Sequence, residues 1–278
     1  MLRVLLPYLL FLAMLCHAAP KAAMAGQELL PAQLSPERLD IIFSGEEQLH
    51  YEVSWSGGVK IGDIHLHIMP EKSLPASLNS YAISAKVKST GALDVFYPVD
   101  DIFHCIVAGT MKLPLRYEVF QREGHGRKVT IRQTVYDQAA GVVNYQKNKQ
   151  PVKSYSFEGK VYNEFAAFII TRALRVDTDS HIIVPTFADN KRNEVAVRLL
   201  KKEKRASIFG ERQTLKVQPI MNFKGLYEKS GNTLLWLTDD RCRVPVEIRS
   251  RIAIGSLVAK LVDYRNPACT NLQIEKKK

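Results

Sequence analysis

Residues 234–262 read LLWLTDDRCRVPVEIRSRIAIGSLVAKLV, and this stretch decides the fold. Apolar residues recur at every second position, the period of a strand with one buried face. Three strands are expected, over residues 234–238, 245–254 and 257–264. Asp239-Asp240 joins the first two, because aspartate carboxylates bond to nearby backbone amides in turns. Gly255-Ser256 joins the second and third. Strands joined by such short turns pair antiparallel.

The same reading extends outward. Tyr51, Val53 and Trp55 share one face of a strand. Ser56-Gly57-Gly58 follows, and Gly-Gly suits the positive φ angles of a tight hairpin. The return strand runs to residue 69 with Ile64, Leu66 and Ile68 on one face. Further strands are expected over residues 81–87, 102–108, 115–122, 128–137, 142–147, 152–157, 181–187, 194–200 and 215–221. Strands at this spacing signal an antiparallel sandwich or barrel. One longer segment is helical: Phe165, Phe168, Ile169 and Ala173 follow i, i+3, i+4 spacing, with Asn163 as N-cap. A shorter helical piece is expected near residues 36–42, and a short helical or looped crossing over 91–101. The fold class is therefore mainly all-β, a large antiparallel β-barrel, half-barrel or sandwich-like sheet with one packed α-helix. One closed barrel and two packed sheets both remain open. No flexible spacer divides the chain, which favours one unit.

At the N-terminus Arg3 precedes an apolar run over residues 4–16, and Ala23-Met24-Ala25 is a small-x-small cleavage pattern. This is the layout of a secretory signal peptide. The chain divides into a signal peptide (1–25), an irregular leader (26–45), one β-rich domain (46–265) and a basic tail (266–278). No transmembrane segment is expected after cleavage. The formal net charge is +11, and removal of Arg3 and Lys21 leaves +9. In an exported protein that balance points to lipid headgroups, lipopolysaccharide or acidic glycans, or to scattered solvated cations, and away from nucleic acid. Lys201-Lys202-Glu203-Lys204-Arg205 is the most concentrated run.

Cys105, Cys242 and Cys269 remain in the mature chain. An oxidising compartment allows one disulfide and leaves one thiol. Three pairings are open. Cys242 with Cys269 is preferred, because it would pin the irregular tail beside a turn. With no CxxC there is no zinc ribbon or thioredoxin-type site.

These residues resemble a known family. Trp236-Leu237-Thr238-Asp239-Asp240, Arg243-Val244-Pro245-Val246-Glu247-Ile248 and Gly255-Ser256-Leu257-Val258-Ala259-Lys260-Leu261 are similar to the end of the exported bacterial proteins called domain of unknown function 3108. Leu49-His50-Tyr51-Glu52-Val53-Ser54-Trp55 with Gly62 resembles the opening hairpin of that family. Pro114-Leu115-Arg116-Tyr117 with Glu123-Gly124 resembles its middle, and residues 165–172 its helix. The chain departs at Asn163 and Ala166, where the family has Asp and Ser. The resemblance implies an envelope location and a large barrel-like fold, and carries no catalytic residue.

Several constellations have residue types that chemistry could use. His65 and His67 point to one face of a strand, as two metal ligands or as a solvated pair; no third ligand is near in sequence. His104 and Cys105 are adjacent and face opposite ways. Asp100-Asp101 and Asp239-Asp240 read as turn or strand-end acids before they read as an acid–base pair. No nucleophile elbow or phosphate loop occurs. No metal or cofactor is expected, and an enzymatic role is disfavoured. The aromatics either fill a core or line a cavity. Candidate ligand-binding residues are Tyr51, Trp55, Tyr81, Arg116, Tyr117, Trp236 and Arg249. The two arginines would grip an anionic headgroup or face water. The expected function is non-enzymatic binding of an amphipathic or anionic lipid or glycan by a periplasmic protein, or one peripheral to the outer membrane. The rivals are an assembly protein contacting other envelope proteins and a polysaccharide or lipid hydrolase.

Overall fold

From Glu47 to Ser156 and again from His181 to Arg265, hairpin after hairpin lays each strand beside the one before it. The computed structural model describes residues 27–30, 33–126, 128–177, 181–220, 233–251 and 255–275. The expected signal peptide lies outside them. The elements are β1 (Gln27–Glu28), α1 (Pro36–Ile42), β2 (Glu47–Trp55), β3 (Val59–Pro70), β4 (Tyr81–Ser89), α2 (Gly91–Phe96), β5 (Asp100–Ala108), β6 (Leu113–Glu123), β7 (Lys128–Asp137), β8 (Val142–Lys147), β9 (Lys153–Ser156), α3 (Glu164–Ile170), β10 (His181–Ala188), β11 (Lys191–Ser207), β12 (Gly210–Ile220), β13 (Thr233–Thr238), β14 (Pro245–Arg251) and β15 (Ser256–Arg265). The leader contains the expected short helix, α1, and also β1.

The described strands form one sheet, not two packed ones. Its order is β1-β10-β11-β12-β13-β14-β15-β2-β3-β4-β5-β6-β7-β8-β9. Every pair is antiparallel except β1 with β10. The last strand, β15, pairs with β2, joining the two halves. Right-handed twist curls so long a sheet upon itself. The curl closes where Tyr162 bridges β10 in parallel: its amide donates to the Pro185 carbonyl at 2.8 Å, and Phe187 donates back to its carbonyl at 2.7 Å.

Two glycines explain local geometry. At the β2–β3 turn the positive φ angles fall on Ser56 and Gly57, not on Gly57-Gly58. A Cβ on Gly62 would lie 2.6 Å from the Lys88 carbonyl oxygen, so β3 can approach β4 only with glycine there.

The helix α3 is buried on nearly every side because it lies inside the barrel. Asn163 caps it, its Oδ1 accepting from the Ala166 amide at 2.7 Å. Phe165 reaches Phe103 and Tyr117 on one wall, at ring-centroid distances of 6.1 and 6.2 Å. Beyond Ile170 the helix tightens into a single 3₁₀ turn carrying Arg172. The Arg172 guanidinium is fully buried and grips Glu47 with two bonds, of 2.5 and 2.8 Å. It also donates to the carbonyls of Cys242 and Arg243. Tyr264 and Asn266 complete the Glu47 carboxylate at 3.0 and 3.1 Å.

This clamp seals one end of the barrel. Cys242 and Cys269 are joined by a disulfide and hold the tail across that floor. The β11–β12 hairpin tip also reaches it: buried Phe209 packs edge-on against Tyr264, with ring centroids 5.6 Å apart. It reaches so far because β11 has 17 residues, about 55 Å of strand. A register shift between Leu199 and Lys201 lets it turn. The expected strand ended at residue 200, because the basic run that follows reads as surface.

Candidate functional site

At the opposite end of the barrel, nothing among the described residues forms a comparable seal. Between α3 and the wall lies a cavity of about 450 Å³. It falls in the range of about 300–1,000 Å³ typical of ligand pockets. Alternation positions its lining. Tyr51 and Val53 of β2, Ile64 and Leu66 of β3, Ala85 and Val87 of β4, and Leu257 and Ala259 of β15 all point inward. Val195 and Val197 of β11 and Leu235 of β13 continue the wall. The helix contributes Phe165, Ala167, Phe168 and Thr171. The mouth is mixed: Ile61, Leu93, Tyr97, Lys88, Glu123, Ser250 and Arg251 border it.

One carboxyl group, Glu164, reaches the cavity from the start of α3. Burial pushes its pKa up, against the pull of its backbone amide and the Arg132 charge. Behind the helix is a buried polar cluster. Asn163 donates to the Cys105 sulfur at 3.1 Å. Burial nevertheless pushes that thiol up to about 12, so it stays protonated and is no nucleophile at neutral pH. Burial raises Tyr117 and Tyr136 in the same way.

Near the mouth Asp101 is fully buried, and burial raises its carboxyl to about 6. Gln121 and the Arg122 amide bond to it and oppose the shift, while Glu123 adds to it. A carboxyl held above its ordinary value favours its neutral form. The resulting stability is fully present below pH 4 and is lost as pH rises through about 6. Asp101→Asn is expected to flatten that loss, gaining about 1–2 kcal/mol at pH 7.5 relative to pH 4.5. Urea unfolding at both pH values would check this, and an unchanged difference would contradict it.

The expected site residues scatter. Tyr51 lines the cavity, its hydroxyl donating to the Pro245 carbonyl at 2.9 Å. Tyr117 lies inside the barrel but behind Phe165. Trp55 stands at the mouth, half exposed. The other four are elsewhere. Tyr81 sits near the floor against Phe43, with the Lys112 ammonium 4.4 Å from its ring. Arg116 points to solvent, one residue out of phase with buried Tyr117. Trp236 is on the outer face, opposite inward-facing Leu235. Arg205 covers it at 4.1 Å and Arg249 flanks it at 5.6 Å. Arg249 pairs with Glu247 at 3.0 Å and grips nothing in the cavity. The same register rule that buries one residue exposes the next.

Other constellations resolve too. Asp240 accepts from Thr238 and from the amides of Cys242 and Arg243, which is a turn role. Asp100 pairs with Arg122. His65 stacks on His50 at 4.1 Å on the outer face, and His50 bonds Asp63 at 2.9 Å. Among the described residues no group of three or more metal-binding side chains gathers. The basic run is neutralised in part: Lys201, Lys202, Lys204 and Arg205 pair with Glu203, Asp239, Glu211 and Glu247. The sequence reading did not single out the β3, β4, β11 and α3 residues that line the cavity. Their inward phase was visible, but an inward apolar residue has the same signature whether it packs or leaves space.

The family described as "Protein of unknown function (DUF3108)" matches residues 50–262. A solved structure is similar in fold, the crystal structure of a beta-barrel-like protein of domain of unknown function DUF1849 from Brucella abortus. The TM-score is 0.56 at 9% sequence identity, over 81% of this chain and 98% of that one. No curated protein matches.

Proposed function

The chain belongs to the DUF3108 family, and we propose that its barrel binds one amphipathic molecule, an acyl-bearing lipid, with the chain in the cavity and the polar group at the mouth. The observation that carries this reading is the division of the cavity. Its depth is lined mostly by aliphatic and aromatic side chains, with Glu164, Thr171 and Thr186 among them; its mouth carries Lys88, Glu123 and Arg251. An acyl chain gains from such a lining simply by leaving water. A glycan would leave most of its hydroxyls unpaired there. Lys88 and Arg251, at strand ends and out of phase with inward Val87 and Ser250, place positive charge at the rim, where an anionic headgroup would lie. The periplasm is the compartment of this reading, and the Cys242–Cys269 disulfide supports it.

Titration with a dansylated fatty acid tests the proposal. Saturable binding at one site is expected. Ala167→Phe on the helix and Ala259→Phe on the facing wall should each weaken it by about tenfold or more by filling the space. Absence of saturable binding, or equal binding by both variants with wild-type melting, would refute it.

A further inference from the structure

The mouth carries apolar side chains that the cavity does not use. Phe96 is 75% exposed, Val95 66% and Val59 65%. Tyr97 and Trp55 are 49% and 41% exposed. They form one group. Trp55 and Val59 face each other across the β2–β3 turn. The helix α2 is fastened beside that turn by the Thr90 amide, which donates to the Ile61 carbonyl at 2.9 Å. Val95 and Phe96 are its last residues and Tyr97 its C-cap, and the Tyr97 hydroxyl donates to Glu123 at 3.3 Å. Isolated apolar residues on a surface need no explanation, whereas a cluster rimmed by polar groups marks an interaction site.

Charge and position identify the partner. Lys88 and Arg251 border the mouth beside this cluster, Lys88 on the outer face with His50, Asp63 and His65. Lys60 follows Val59, although Glu52 and Asp63 hold it at 2.9 and 3.1 Å. The chain as a whole is strongly cationic. Tryptophan and tyrosine rings, short aliphatic side chains and cations together suit the level of lipid headgroups. The patch is also continuous with the cavity, since Tyr97 belongs to both.

From this we infer that the rim formed by Trp55, Val59, Val95, Phe96 and Tyr97, with Lys88 and Arg251, seats the barrel mouth-down on an anionic phospholipid bilayer. The inference rests on the proposed acyl-binding cavity and extends it: the ligand would pass between bilayer and cavity without crossing water. Seating is reversible, because the apolar group is small and enters only the headgroup boundary.

The chain has two tryptophans, Trp55 and Trp236. Trp236→Phe leaves Trp55 as the only indole reporter. Vesicles of phosphatidylcholine with phosphatidylglycerol should shift its emission to shorter wavelength, and brominated acyl chains should quench it. Pure phosphatidylcholine vesicles or high salt should reduce both signals. Flotation of the unaltered protein with the same vesicles is the second measurement. Phe96→Asp and Val95→Asp together should lower flotation by about tenfold or more while leaving melting unchanged. Failure of the wild type to float, or flotation indifferent to these substitutions, would overturn the inference. So would a concentration-dependent dimer abolished by Phe96→Asp, which would make the rim a contact between copies. Binding of dansylated fatty acid without vesicles separates the two readings. Rim variants should retain it and lose flotation; Ala167→Phe should lose it and retain flotation.

Discussion

Arg172→Ala is expected to destabilise the protein by about 3–5 kcal/mol, the cost of leaving a buried carboxylate without its cation. Glu47 would keep Tyr264 and Asn266 but lose both guanidinium bonds. The carbonyls of Cys242 and Arg243 would lose their donor as well. Attraction to Glu47 outweighs burial and raises the Arg172 pKa, so the guanidinium stays charged. The pair fastens the end of α3 to β2 and to the β13–β14 turn, and thereby holds the inner wall of the cavity. Replacing both partners by apolar residues, Glu47→Leu with Arg172→Met, should recover much of the loss, because no charge is then stranded. Urea unfolding of the three proteins checks this. A single-variant loss below about 1 kcal/mol would contradict the clamp.

Removal of the disulfide ranks second. Cys242 and Cys269 are separated by 27 residues. Closing such a loop lowers the entropy of the unfolded chain by an amount worth about 3–4 kcal/mol. Cys242→Ser with Cys269→Ser, or reduction of the wild type, should lower stability by that amount. The bond lies against the clamp, since Arg172 donates to the Cys242 carbonyl at 3.2 Å. The two losses should therefore not add when combined. Equal urea midpoints with and without reductant would show that the tail is held by packing alone, through buried Leu272 and Cys269.

Alternation made most of the barrel legible. The helix over α3, its Asn163 cap and the short helix α1 were visible in spacing and capping residues. The length of β11 was not, because Lys201, Lys202 and Lys204 are exposed, and two of them find ion partners outside β11, at Asp239 and Glu211. The clamp was hidden by distance: Glu47 and Arg172 lie 125 residues apart. Its one local sign was a lone cation in the apolar run of the helix. Trp236 and Arg116 were chosen for residue type. Each is out of phase with its apolar neighbours, Leu235 and Leu237 for the first and Tyr117 for the second. Phase was the better guide. Whether an inward face packs solidly or encloses space depends on how an internal helix fills a curled sheet, and no local pattern encodes that.

The central claim, an acyl chain held between α3 and the barrel wall, is tested most directly by a crystal structure with a fatty acid brominated along its chain. The account predicts anomalous bromine signal beside Ile64, Leu66 and Phe168, with the carboxylate toward Lys88 and Arg251. Bromine found only on the outer surface, or a cavity that stays empty at saturating ligand, would contradict it.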